Sequence, residues 1–373
     1  MLIGVPKEIK THEYRVGLTP ASVREVVDHG HQVLVETNAG LGIGVMDSEY
    51  EKAGAKIASI AADVFARADM IVKVKEPQAV ERKMLRPEQV LFTYLHLAPD
   101  RPQTDDLLSS GAICIAYETV TSASGGLPLL APMSEVAGRM SIQVASTFLE
   151  KPRGGLGVLL SGVPGVPPAS VVILGGGVVG SNAAFMAVGA GADVVVLDRS
   201  LDVLRRLVAQ FGARVKTVFS TRDAVEHYIT QADAVIGGVL IPGAAAPKLV
   251  TREMVGRMKK GSVLVDVAID QGGCFETSHA TTHTDPVYEV DGVIHYCVAN
   301  MPGGVPRTSA FALNNATLPF VLALANHGWQ DALRADAHLR NGLNVCRGKI
   351  TCEGVATALG MTYHDPQTLL TRQ

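Results

Sequence analysis

Residues 170–198 read SVVILGGGVVGSNAAFMAVGAGADVVVLD, and this stretch decides the fold. A β-branched run into Leu174 predicts a strand, Gly175, Gly177 and Gly180 follow in G-x-G-x-x-G spacing, a helix of small residues comes next, and a second strand ends on Asp198. Each residue type has a physical task. Gly175 permits a tight turn, Gly177 lets backbone amides approach a pyrophosphate, and Gly180 lets the helix pack close to the strand. The helix N-terminus attracts the phosphates. Asp198 can accept both hydroxyls of a ribose and repels a 2′-phosphate, so the stretch favours NAD over NADP, a preference that the adjacent Arg199 weakens. The alternative is a glycine-rich turn without a ligand.

Strand and helix alternate on both sides of this unit. LTPASVREVVDHGHQVLVE gives Thr19 as N-cap, Pro20 in the first turn, a helix stopped at Gly30, and a strand from Gln32 to Glu36. ADMIVKVK, QVLFTYLHLAPD and AICIAYETV each follow a predicted helix, the pattern of parallel α/β layers. Residues 151–169 are rich in Gly and Pro and read as an irregular connector or hairpin. The halves echo each other: ADMIVKV resembles ADAVIGGV at 232–239, and QVLFTYLHLA resembles SVLVDVAID at 262–270. The expected fold class is α/β, with two Rossmann-like doubly wound domains and a cleft between them. Ligands of such sheets bind beyond the carboxyl ends of the strands.

A chain of 373 residues exceeds what one core organises, and 47% apolar against 18% charged residues excludes a largely disordered protein. A net charge of -3 offers no basic excess for nucleic acid or anionic membranes. Pro6, Lys7 and Glu8 interrupt the apolar core a signal peptide would need, and no uninterrupted apolar run reaches membrane-spanning length. Five cysteines without a C-x-x-C pair favour free thiols in a reducing compartment. The expectation is a cytoplasmic protein with no nucleic-acid or membrane partner.

Within ADMIVKVKEP, Lys73 and Lys75 stand in an apolar strand and share a face. Lys75, nearer the strand end, is read as reaching the cleft to bind an anionic or carbonyl oxygen, with Lys73 snorkelling at the sheet edge; the alternative leaves both solvated on an edge strand. His96 is placed at a strand end, where an imidazole suits proton exchange; a structural histidine is the alternative. Asp270 is also placed at a strand end, either meeting a substrate ammonium or water or capping a turn. Arg15, in a loop before a helix, could clamp a carboxylate through two parallel hydrogen bonds, or be an ordinary surface arginine. Asn300 and Met301 could line a nicotinamide or belong to a plain loop. Pro319 predicts that the long C-terminal helix is kinked or divided. His279, His283 and Asp285 fit no compact ligand spacing, so no metal is expected.

Taken together, GVPKEIKTHEYRVGLTP, VKVKEP, YLHLA, LGGGVVGSNAA and NMPGGVPRTSA resemble bacterial alanine dehydrogenase across essentially the whole chain. The resemblance implies NAD-dependent oxidative deamination of L-alanine to pyruvate and ammonium in a cytoplasmic homohexamer. It also implies a discontinuous substrate domain at 1–129 and 307–373 around an NAD domain at 130–306. By the same resemblance Arg15 and Lys75 hold substrate, and His96 and Asp270 transfer protons. Ser134, Val179, Asp198, Ser220, Val239, Leu240 and Met301 would touch the cofactor; Val178, Val267, Asp270, Val298 and Asn300 complete the expected set with the three glycines. Val203 and His279 stand where some relatives carry basic residues, so an extra cationic grip on the cofactor is in question. The rivals are a saccharopine-dehydrogenase-like oxidoreductase, the NAD-binding part of a transhydrogenase, and an NAD-binding regulator without turnover.

Overall fold

A computed structural model describes residues 1–239 and 246–370. The chain forms two compact units, Met1–Met133 with Val305–Gln373, and Ser134–Gly304. The first contains β1 (Leu2–Val5), β2 (Gln32–Glu36), β3 (Lys56–Ala58), β4 (Met70–Val72), β5 (Val90–Thr93), β6 (Ile113–Ala116), β14 (Leu343–Cys346) and β15 (Lys349–Ile350). The second contains β7 (Ser170–Leu174), β8 (Asp193–Asp198), β9 (Val215–Phe219), β10 (Ala234–Gly237), β11 (Val263–Asp266), β12 (Val287–Val290) and β13 (Val293–Tyr296).

The sheet orders are β15-β14-β6-β5-β4-β1-β2-β3 and β12-β13-β11-β10-β7-β8-β9. Within each, the six parallel strands follow one plan: β6-β5-β4-β1-β2-β3 corresponds to β13-β11-β10-β7-β8-β9. This is the doubly wound dinucleotide order, with the switch point between β1 and β4 in one unit and between β7 and β10 in the other. The echo between the two sequence halves is therefore real at the level of topology, since β4 and β10 take the same place.

Burial on both faces explains the continuous apolar strands. Val171, Ile173, Val194 and Val196 enter one core, and Val172, Leu174, Val195 and Leu197 the opposite one, as the two-residue period of a strand requires. The first unit divides likewise, with Val72, Val90 and Phe92 on one side and Ile71, Leu91 and Cys114 on the other. Thr19 caps the helix Pro20–Asp28 as expected, and Gly30 takes a φ of 83°. Residues 151–169 hold one short 3-10 turn and an antiparallel Val163–Val166 bridge.

Three expectations are corrected. Lys75, His96 and Asp270 do not end strands; β4, β5 and β11 stop at Val72, Thr93 and Asp266, so each residue lies in the loop beyond. The apolar pattern ran on past the last ladder pair and concealed the true ends. Nor is β4 an edge strand, because it pairs with both β1 and β5. Finally, the helix Pro306–Ala335 is interrupted at Gly328 (φ 73°, ψ 154°) and not at Pro319. Proline's fixed φ suits a helix and costs one donor, whereas glycine readily adopts the non-helical backbone. This helix is long and apolar enough to cross a bilayer, but it buries Ala310, Leu313, Val321 and Leu324 in the first unit's core.

Candidate active site

In the second unit the glycine-rich turn has the form the sequence demands. Gly175 adopts a φ of 95°, and a Cβ at Gly180 would lie 1.8 Å from the Gly175 carbonyl oxygen, closer than any side chain tolerates. Gly177 faces open space and caps the helix Val178–Gly189 without a side-chain hydrogen bond, leaving that helix's first amides available to an anion. The Asp198 carboxylate ties the turn together: Oδ2 accepts the Gly176 N–H at 2.7 Å and Oδ1 the Ser200 N–H at 2.7 Å. Each oxygen retains a lone pair for a ribose hydroxyl. Ser220 donates its N–H to the Asp198 carbonyl, and Val239 packs against Gly175. A cavity of about 420 Å³ is lined by Arg199, Ser220, Thr221, Arg222 and Lys248, among others. These residues fit a nicotinamide dinucleotide: a cradle that admits only glycine, open helix amides, and a ribose-level acid.

The other expected cofactor residues fall into two groups. Val178 is exposed and Ser134, Val267 and Asn300 are half-buried, so all four retain solvent-facing surface. Val179, Val298 and Met301 bury their side chains. Leu240 lies outside the described residues. Val203 would meet any Cβ at Gly176, so it packs on the turn, and the His279 ring stacks on Tyr288 with centroids 3.6 Å apart. His283 Nε2 lies 3.2 Å from the Asn300 carbonyl oxygen. Among the described residues no group of three His, Cys, Asp or Glu is placed to hold a metal.

The strand-end acid of β11 is Asp266, which sequence reasoning missed. It is buried and accepts from Ala268 N (3.2 Å), Cys274 N (2.8 Å) and Ser278 Oγ (2.5 Å), fastening the segment that carries Asp270. Burial raises its pKa against the lowering effect of these bonds. Asp270 itself is exposed in a 3-10 turn ahead of Gly272 and Gly273, both at positive φ.

In the first unit, the expected residues sit on a buried ionic framework. Lys73 is fully buried and neither solvated nor snorkelling: its ammonium meets Glu81 Oε1 at 2.7 Å and Glu8 Oε2 at 3.1 Å. Glu8 Oε1 accepts the N–H of Val74 at 2.6 Å and of Lys75 at 3.4 Å. Burial, opposed by Lys73 and reinforced by Glu13 and Glu81, pushes Glu8 up to about 7. Burial disfavours the Lys73 charge, yet the two carboxylates raise its pKa. Glu8 follows β1 and Lys73 follows β4, so this trio lies at the switch point, where the second unit has its glycine turn.

Arg15 is buried, and Glu13 takes its fork in two parallel bonds, Nε–Oε1 at 2.7 Å and Nη2–Oε2 at 2.5 Å. Its Nη1 lies 3.0 Å from Met133 Sδ. The surface-arginine alternative is excluded. Burial weighs against the charge, but Glu13 holds it raised. Lys75 is half-buried, and its ammonium makes no ion pair among the described residues. Burial would raise Glu76, but Lys75 and Lys10 hold it below the usual carboxylate range. His96 is exposed, stacks on Tyr94 at 5.8 Å, and has φ 50°. Shared neighbours connect these groups: Glu8 bonds the Lys75 amide and acts on Arg15, Arg15 acts on Tyr94, and Tyr94 backs His96. Sequence reasoning missed the carboxylates Glu8, Glu13, Glu81 and Glu118. For Glu8 the available signal was a lysine inside an apolar strand, which needs a buried acid.

Residues 4–137 match the profile of the N-terminal domain of alanine dehydrogenase/PNT, and residues 141–353 match that of its C-terminal domain. The chain belongs to the alanine dehydrogenase/PNT family. Among alanine dehydrogenase/PNT relatives, it is 59% identical to alanine dehydrogenase of Halomonas elongata over 99% of this chain and 100% of that one. It is 51% identical to alanine dehydrogenase of Mycobacterium tuberculosis, again over 99% and 100%. A solved L-alanine dehydrogenase superposes with a TM-score of 0.94 at 52% identity, covering 96% of this chain and 99% of the other. A transhydrogenase structure from Sinorhizobium meliloti gives 0.80 at 28% identity, covering 95% and 99%.

Proposed function

We propose that this protein is an NAD-dependent alanine dehydrogenase, converting L-alanine, NAD and water to pyruvate, ammonium, NADH and a proton. The observation that carries the reading is the chain-long identity of 59% to an alanine dehydrogenase, against 28% to a transhydrogenase. In this reading the first unit is the substrate domain and the second the NAD domain. The nicotinamide ring, when bound, accepts the hydride that leaves the alanine Cα.

The chain's own residues do the remaining work. Arg15 and Lys75 hold the carboxylate and carbonyl oxygens, so the α-hydrogen is aimed rather than free to rotate; misplacement by about 1 Å costs roughly a hundredfold in rate. His96 and Asp270 exchange protons as water adds to the imine carbon and ammonia departs from the resulting carbinolamine. Asp198 selects a ribose with free hydroxyls, hence NAD. A cytoplasmic homohexamer is part of the same proposal, and the free cysteines, four of them buried, support a reducing compartment.

The test is a panel of alanine, serine, 2-aminobutyrate and glycine with NAD or NADP, read by the near-ultraviolet absorbance of the reduced nicotinamide. Alanine with NAD should give the highest kcat/KM. Hydride exchange between nucleotides without any amino acid would mark a transhydrogenase part, lysine-dependent turnover a saccharopine-type enzyme, and nucleotide binding with no turnover a regulator.

A further inference from the structure

Lys75 poses a positional problem. It lies in the loop beyond β4, with a long stem and no ion pair among the described residues to fix its ammonium. A cation that orients a small substrate cannot wander, so something must fix the backbone from which it projects. The Tyr94 N–H and the Thr93 hydroxyl hold the Val74 and Lys75 carbonyls from the β5 side, and the contact that holds their amides comes from the other side of the switch point.

We propose that Glu8 is a positioning residue for Lys75, holding the 74–75 backbone through its carboxylate while Lys73 holds Glu8; the proposal rests on the reading of Lys75 as a substrate-binding cation. Three observations carry it. Glu8 Oε1 accepts from two successive amides, those of Val74 and Lys75, where β4 has ended and no ladder partner serves either N–H. Its Oε2 is anchored by Lys73, which is itself shared with Glu81. Glu81 in turn accepts the Gln78 N–H at 2.7 Å, closing the far side of the same loop. Of the two carboxylates on Lys73, only Glu8 reaches the Lys75 amide, while Glu81 secures the chain further on at Gln78. Lys73 serves these carboxylates and not the substrate, which is why two lysines occur together in one apolar stretch.

Two substitutions separate reach from charge. Glu8→Asp keeps the charge that pairs with Lys73 but withdraws the carboxylate from the amides. Glu81→Gln removes a charge from Lys73 but leaves the Glu8 contact with Val74 and Lys75 in place. For Glu8→Asp the KM for alanine should rise about tenfold or more, with kcat within about threefold and the KM for NAD unchanged. Glu81→Gln should lower the melting temperature and leave the KM for alanine within about threefold of wild type.

The proposal is overturned if Glu8→Asp leaves the KM for alanine within about twofold, raises both KM values together, or is matched by Glu81→Gln. Should Glu8→Asp fail to fold, Glu8→Gln takes its place: it weakens the charge-assisted bonds to the same amides and must raise the KM for alanine selectively. A wild-type protein without alanine-dependent turnover would instead remove the underlying reading of Lys75.

Discussion

Glu118 Oε1 accepts the backbone N–H of His96 at 2.6 Å, and His96 holds a φ of 50°, in the left-handed region. Both Glu118 oxygens also accept the Leu95 N–H at 3.2 Å, so one carboxylate secures a turn that a non-glycine residue adopts only at a cost. The ring then lies flat on Tyr94, facing solvent. Replacing Glu118 with alanine strands two amides and releases the turn. The expected result is a stability loss of about 1–3 kcal/mol by denaturant titration. A fall in kcat greater than the change in KM for NAD should accompany it.

Gly180 admits no side chain. Gly180→Ala sets a methyl group 1.8 Å from the Gly175 carbonyl oxygen, so either the helix moves or the turn opens. NAD affinity, measured by quenching of protein fluorescence, should fall at least tenfold, or about 1.4 kcal/mol. Gly189, toward the other end of the same helix, meets nothing at its Cβ position, and Gly189→Ala should leave NAD affinity unchanged.

In the proposed reading, Asp198 sets the preference for NAD over NADP. Asp198→Ala removes the charge that repels a 2′-phosphate and leaves Arg199 beside it. The ratio of kcat/KM for NAD over NADP should drop by at least about tenfold, at some cost to stability because Gly176 and Ser200 lose their acceptor.

Lys73 neutralises two buried carboxylates. Lys73→Met leaves Glu8 and Glu81 without their cation, and stability should fall by about 3–5 kcal/mol in urea titrations at neutral pH. Glu8 gives this region a pH dependence whose sign follows from its raised pKa. The folded protein holds the Glu8 proton up to about 7, above the ordinary value of 4.5. The folded state therefore binds the extra proton, and this contribution is present at low pH and lost as pH rises through that window. Relative to Glu8→Gln, the wild-type melting temperature should decline between about pH 5 and pH 8.

Much of this molecule was legible in its sequence because short-range chemistry wrote it there. The helix after Thr19, the turn at Gly175–Gly180 and the acid at Asp198 depend on capping, backbone freedom and period, which lie within a few residues of one another. The framework under the first unit was hidden for the opposite reason. Glu8 and Lys73 are 65 positions apart and meet only because β1 and β4 are neighbours. Glu118 reaches His96 across a gap of 22 positions, from the 3-10 turn that follows β6, the strand next to β5. Strand ends misled for a related cause: YLHLA and VAID look like strand, but the ladder stops at Thr93 and Asp266. The acid that fastens the second loop is therefore Asp266, and Asp270 stands free of the strand.

In the proposed reaction this protein moves a hydride from the alanine Cα to a nicotinamide. L-alanine carrying deuterium at Cα, incubated with NAD and the enzyme, tests it at the atom concerned, with the reduced cofactor read by mass spectrometry and proton NMR. The expected result is one deuterium at nicotinamide C4, pyruvate and ammonium in equal amounts, and loss of transfer in His96→Ala. Deuterium released to solvent, or reduced cofactor forming at the same rate without alanine, would contradict it.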